Sequence, residues 1–211
     1  MIGNDVVDLR DPESDPASLH PRFDIRVFSA SEREAIAASA EPARERWRFW
    51  AAKEAVYKLV KKARPTTVFS PPDFAVAREG PGELRVRHEG QSHRVVLTEN
   101  EGALHAVATR AGEAPRALVQ GWRRLDAGEI GPGDPDAPGR AARSLLCECV
   151  APRLGVPVDE LEVRRHGRVP QLWLRGARAP VDVSLSHHGA WLAFACEIED
   201  RAFESGTGAP E

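Results

Sequence analysis

Apolar positions recur along this chain with two periods, and each period marks a different kind of element. The strongest helical pattern runs from about Pro42 to Lys62, where Phe49, Ala52, Val56, Leu59 and Ala63 form one stripe, because residues three and four apart lie on the same side of a helix. Pro65 predicts its end. Ser29 and Ser31, followed by Glu32 and Glu34, predict an earlier helix start through hydroxyl caps and first-turn acids. Elsewhere the chain reads as strands, at 2–9, 74–77, 83–88, 93–98 and 104–109, with turns at Gly80–Pro81–Gly82 and Glu89–Gly90.

After residues 110–116, which read as a linker, the outline repeats. A strand is predicted near 118–122, a Gly-, Pro- and Asp-rich loop at 126–139, and a helix over about 140–154. Strands follow near 161–164, 171–174, 181–185 and 191–197. Residues 200–211 have little to bury and read as a disordered tail. One local match supports a repeat: GALHAVA from Gly102 aligns with GAWLAFA from Gly189. The expected fold is α+β, a pseudo-two-fold pair of similar units at 1–110 and 116–199, each a long helix packed on an antiparallel sheet.

Composition narrows the class. Of 211 residues 42% are hydrophobic and 29% charged, enough apolar material for a core that needs no staple. A net charge of −3 argues against general nucleic-acid binding, which requires a basic surface. Lys58, Lys61, Lys62 and Arg64 form a local basic run, expected to present a patch to an acidic partner. Cys147, Cys149 and Cys196 lack metal or redox spacing and read as reduced thiols. The first residues, MIGNDVVDLRD, do not resemble a signal peptide, and no stretch reaches membrane-spanning length, so a cytoplasmic location is expected.

Three segments carry candidate chemistry. Trp50, Glu54 and Lys58 are each four apart, one row on the long helix. On spacing alone that row is a solvated Glu–Lys pair. Asp5 lies in an otherwise apolar strand, where a carboxylate is costly unless paired. It is expected either to meet an arginine or a turn, or to hold a divalent cation together with a second acid. Gly3 beside it would let a backbone or ligand approach closely. The third segment is Val183-Ser184-Leu185-Ser186-His187-His188. A hydroxyl and an imidazole at a strand end suit an anion. Adjacent histidines on a strand point to opposite sides, and no acid or cysteine cluster completes a zinc site. There is no G-x-S-x-G pattern of a serine hydrolase and no phosphate-binding glycine loop of a kinase.

Together, Gly3-Asn4-Asp5, Trp50 through Lys58 (W-x-x-K-E-A-x-x-K) and Ser184 through His187 resemble the 4′-phosphopantetheinyl transferase superfamily. So does the connecting stretch PRFDIRVFSASEREAI. The 133 positions between Glu54 and His187 are too many for the short single-unit class. The order resembles the double-unit, surfactin-synthetase-activating class with its halves exchanged, a circular permutation. Ala142-Arg143-Ser144-Leu145-Leu146 and His166-Gly167-Arg168-Val169-Pro170 resemble the helix and turn that precede the serine–histidine segment in that class.

The resemblance implies a monomeric enzyme that moves phosphopantetheine from coenzyme A to a serine of an acidic apo carrier protein. It implies Mg²⁺ held by Asp5 and Glu54, Lys58 on phosphate oxygens, and Arg143, Arg168, Ser186 and His187 on the nucleotide phosphates. The alternative is an inactive coenzyme-A-binding relative that serves as an interaction protein. Two departures stand out. Val7 occupies the place of a third acid found in the double-unit class, and the loop at 126–139 has no lysine where that class supplies lysines to coenzyme A.

Overall fold

A computed structural model describes residues 1–100, 102–112, 117–126, 128–129 and 134–198. The expected tail at 200–211 and most of the expected linker lie outside the described residues. The fold is α+β, with antiparallel sheets each covered by a long helix.

The first sheet has five strands: β1 (Ile2–Asp8), β2 (Ala75–Gly80), β3 (Glu83–His88), β4 (Gln91–Glu99) and β5 (Ala103–Arg110). They run in the order β1-β5-β4-β3-β2. Two short helices, α1 (Phe23–Val27) and α2 (Ala30–Ala37), lead into the long α3 (Pro42–Ala63). Ser29 and Glu32 form a complete capping box at the start of α2, which satisfies two otherwise orphaned amide donors. Of the predicted stripe on α3, Phe49, Ala52, Val56 and Leu59 are buried against the sheet, while Ala63 at the last turn is exposed.

The remaining strands are β6 (Ala117–Arg124), β7 (Leu161–His166), β8 (Val169–Leu174), β9 (Ala177–Arg178), β10 (Val181–His188) and β11 (Trp191–Ile198). They form two three-stranded sheets, β10-β11-β6 and β7-β8-β9. The helix α4 (Ala137–Leu154) packs on them through Leu146, Val150 and Leu154. It begins three residues earlier than the pattern predicts because Pro138 suits the first turn, where its missing N–H is not needed. The short β9 and several single 3₁₀ turns carry no periodic signal and were not expected.

Where β1 meets β10 the two parts are joined without a backbone ladder. β1 is an edge strand, and its outward N–H groups would otherwise be exposed to wrong pairing. Side chains from alternate residues of β10 take them instead. Ile2 N–H donates to Asp182 Oδ2 at 2.7 Å, Asn4 N–H to Ser184 Oγ at 3.0 Å, and Asp8 N–H to His188 Nδ1 at 3.1 Å. Lys62 closes the end, donating to Ile2 O at 2.6 Å and Asp182 Oδ1 at 2.8 Å. A small apolar cluster of Ile2, Val107 and Ala195, from β1, β5 and β11, adds to the joint.

Candidate functional site

The parity of β1 decides what Asp5 faces. A Cβ added to Gly3 would lie 2.0 Å from Ala55 O and 2.8 Å from Leu59 N, so glycine is required for β1 to seat directly on α3. Asp5, two residues on, therefore points to the same helix. Its Oδ1 accepts from Lys58 Nζ at 2.7 Å. Glu54, one turn before Lys58 on α3, feels both charges. Burial first, then the Asp5 carboxylate, push the Glu54 carboxyl up to about 7, against the pull of Lys58. Trp50 begins the row, held between Phe23 of α1 at 5.7 Å and Phe69 at 5.8 Å. The aromatic contacts fix the face of α3 on which the acid and lysine stand.

His187 approaches from β10. Burial in a cleft lowers its pKa first, followed by the nearby charges of Lys58, His188 and Arg165, while Asp5 acts in the opposite direction. Asn4 on Ser186 and Asp8 on His188 hold this stretch of β10 alongside β1, so His187 lies beside the Asp5–Lys58 pair, though far from it along the chain. On its other side His187 lines a cleft of about 310 Å³ with Arg143, Arg165, Arg168 and Gly139. Arg168 occupies the two-residue turn between β7 and β8, where Gly167 has φ +61°, a left-handed conformation that glycine adopts without strain. A larger cavity of about 930 Å³ lies beyond that turn, between Lys61, Lys62, Arg168 and Arg178.

Six of the seven predicted residues thus come together, in two adjoining groups: Asp5, Glu54 and Lys58, then His187, Arg143 and Arg168. Ser186 is different. It is buried and accepts from Asn4 Nδ2 at 3.0 Å, on the side of β10 that faces β1. The alternation that separates His187 from His188 separates His187 from Ser186 as well, so the hydroxyl joins the contact between the two parts and not the cleft.

The basic run is also resolved differently from its appearance in sequence. Lys58 is on Asp5, Lys61 donates to Thr67 O at 2.6 Å, Lys62 is on Asp182, and Arg64 pairs with Glu89. These cations are engaged within the molecule and do not form an open basic face.

Asp11, Glu13 and His188 also bring potential metal-binding atoms within 4.8 Å of one another. His188 Nδ1, however, accepts the Asp8 N–H, so the neutral ring carries its proton on Nε2 and has no lone pair left for a cation. The cluster is a hydrogen-bonded anchor for the end of β1, which Asp8 Oδ2 extends by accepting from Ala190 N at 2.9 Å.

The sequence profile of the 4′-phosphopantetheinyl transferase superfamily matches residues 1–110, which is just over half the chain and includes both Gly3–Asp5 and Trp50–Lys58. The chain belongs to the 4′-phosphopantetheinyl transferase superfamily. No curated protein matches it. Among solved structures, the holo-[acyl-carrier-protein] synthase of Thermotoga maritima is similar at 14% identity, covering 84% of this chain and 83% of that one, with a TM-score of 0.38. The Ser184–His187 segment lies outside the family match, so its place beside the acids comes from geometry alone. Val7, the residue in place of a third acid, is buried in the core against α3. None of the described helices is long and apolar enough to cross a membrane.

The family reading drew attention to Arg143 and Arg168 but not to Arg165, Asn4 or Asp182. Arg165 had no local signal, since three arginines fall within Arg164–Arg168 and only the hairpin's packing tells them apart. Asn4 and Asp182 lie 178 positions apart, and their shared interface has no periodic signature.

Whether the acids suit Mg²⁺ can be judged from their charges. Two carboxylates face one ammonium: Lys58 bonds Asp5, Glu54 has no hydrogen bond among the described residues, and burial followed by the Asp5 charge holds the Glu54 carboxyl up at about 7. A hard divalent cation with oxygen ligands is the partner such a pair accommodates. The residues fit.

Proposed function

We propose that this chain transfers 4′-phosphopantetheine from coenzyme A to a serine hydroxyl of an apo carrier protein, releasing 3′,5′-ADP. The observation that carries the reading is the convergence of Asp5, Glu54 and Lys58 with His187, which lies on the opposite part of the molecule and 133 positions from Glu54. Residues 1–110 supply the acids and 116–199 the nucleotide grip, the double-unit arrangement with its halves in exchanged order. The similar strands β5 and β11, which carry the GALHAVA and GAWLAFA segments, support that pairing. Such an exchange leaves the interface intact whichever connecting loop is cut. One chain then holds a whole site, so a monomer suffices.

Asp5 and Glu54 would hold Mg²⁺, which when bound neutralises the diphosphate and makes its β-phosphorus a better electrophile. Glu54 takes the carrier serine's proton, directly or through water. The serine oxygen forms a bond to the β-phosphorus as the bond to the bridging oxygen breaks, and 3′,5′-ADP departs with that oxygen. Lys58, already directed at Asp5, shifts to phosphate oxygens and offsets the charge that develops there. His187 and the arginines hold the nucleotide in place, positioning that supplies much of the rate in phosphoryl transfer.

The test mixes the protein with Mg²⁺, coenzyme A and an acidic apo carrier protein, and follows phosphopantetheine addition by mass spectrometry. Transfer is expected in the wild type and is lost in Glu54→Gln and Asp5→Ala, with both variants folded. Coenzyme A binding without transfer in the wild type would identify a binding relative instead of an enzyme.

A further inference from the structure

β1 and β10 lie side by side but belong to separate sheets, so no ladder of main-chain hydrogen bonds sets how far one strand slides along the other. Asn4 sets it in the middle of the contact. It is wholly buried and tied to β10 twice: its N–H donates to Ser184 Oγ at 3.0 Å, and its Nδ2 to Ser186 Oγ at 3.0 Å. The same Nδ2 lies 3.1 Å from His105 Nε2 on β5, a second contact that fixes the orientation of the amide. Ser184, Ser186 and His105 are buried as well.

An amide is a costly way to fill this space. Asn4 Oδ1 and His105 Nδ1 have no hydrogen-bond partner among the described residues, and an apolar side chain of similar volume would avoid that desolvation. What the amide adds is direction, since a bond to one hydroxyl is broken by a slip that apolar packing tolerates. The residues that follow the two ends of this bond are Asp5 and His187, one from the acid site and one from the cleft. We infer that Asn4 is a positioning residue: acting through Ser186, it holds β10 at the register in which a diphosphate gripped beside His187 meets Asp5 and Glu54. A displacement of about 1 Å between such groups is enough to cost about a hundredfold in rate.

The role rests on the transferase reading, and kinetics, unfolding and binding together separate the two. The wild type is compared with Asn4→Leu, Ser186→Ala and the double variant. Asn4→Leu should lower kcat about ten- to a hundredfold. It should also lower Tm, because Ser186 Oγ and His105 Nε2 lose their partner. Removing the hydroxyl as well should regain part of the Tm but none of the kcat, and the two changes should fall far short of additive in kcat, because they break one bond. Full kcat in Asn4→Leu, or recovery of kcat along with Tm in the double variant, makes Asn4 a packing residue and overturns the inference. Coenzyme A is then titrated calorimetrically with and without Mg²⁺. Metal-free binding, which needs the His187 side alone, should be equal in the wild type and Asn4→Leu, whereas the gain on adding Mg²⁺ should appear in the wild type and be lost in the variant. An equal gain in both overturns the role of Asn4, while transfer by the wild type leaves the parent reading standing. A gain lost in Asn4→Leu, with no transfer by the wild type, does the reverse. A wild type that neither binds coenzyme A nor transfers overturns both.

Discussion

Two adjacent residues of α3 belong to ion pairs of opposite design. Lys53 is completely buried and saturated: it donates to both oxygens of Glu32 at 2.9 Å, to Pro71 O at 3.0 Å and to Phe74 O at 2.8 Å. Glu32 in turn accepts from Ser29 N–H at 2.8 Å and Val76 N–H at 2.6 Å. Every lone pair and proton has a partner, and the network ties α2, α3 and β2 together. Glu54, the next residue, has no hydrogen bond among the described residues and shares a single ammonium with Asp5. A buried charge persists only when compensated. The saturated pair therefore reads as structure, and the undersupplied one as a site that awaits another positive charge.

The sharpest way to test this contrast is to remove one charge from each pair. Glu54→Gln should lower transfer by about 10²–10⁴-fold, the usual range for a lost general base, and leave stability unchanged or higher, because burial and the Asp5 charge both oppose its ionised form. A parallel loss of activity and folding would place Glu54 among structural residues. The complementary change, Lys53→Met, leaves Glu32 charged and buried and should cost about 3–5 kcal/mol of stability in urea denaturation. Adding Glu32→Gln should recover part of that loss. If Lys53→Met proves as stable as the wild type, Lys53 is no anchor.

A third change probes the seat on which both depend. Gly3→Ala places a methyl group against Ala55 O and should cost about 1–3 kcal/mol, as overpacking does. It should also lower transfer, because β1 must lift and take Asp5 with it. Loss of stability with full activity would show that Asp5 does not depend on that contact.

These contrasts also mark what could be read from the chain. The row Trp50-Glu54-Lys58, the capping box at Ser29 and Glu32, and the close approach at Gly3 are local: each follows from spacing within one element or from the absence of one side chain. The roles of Lys62 and Ser186 are not local. Lys62 is taken up by Asp182, 120 positions away, and Ser186 by Asn4, 182 positions away. Their partners depend on which strand edges meet, and neither hydrophobic period encodes that. The basic run therefore looked like a surface patch, and Ser186 like a phosphate ligand. Arg165 was obscured for a related reason: neighbours on a strand face opposite sides, and the local pattern does not say which side of β7 meets the cleft.

The contact between the two parts extends the comparison to a third polar group, one buried without charge. His105 Nε2 lies 3.1 Å from Asn4 Nδ2, and since the amide donates, the ring accepts there and stays neutral. Burial first, then Lys58, lower its pKa from 6.5 to about 3. In the unfolded chain the same ring takes up a proton below about 6.5. The unfolded state thus binds more protons between these values, so this stabilisation is complete above pH 6.5 and declines as the pH falls toward 3. Between pH 7.5 and 5 His105 should cost the fold about 2 kcal/mol. Urea midpoints measured at the two pH values should differ in that direction, and His105→Gln should reduce the difference. An unchanged difference would assign the acid sensitivity to His93 on the neighbouring strand β4, which burial lowers to about 4, and would leave the joint between β1 and β10 insensitive to pH.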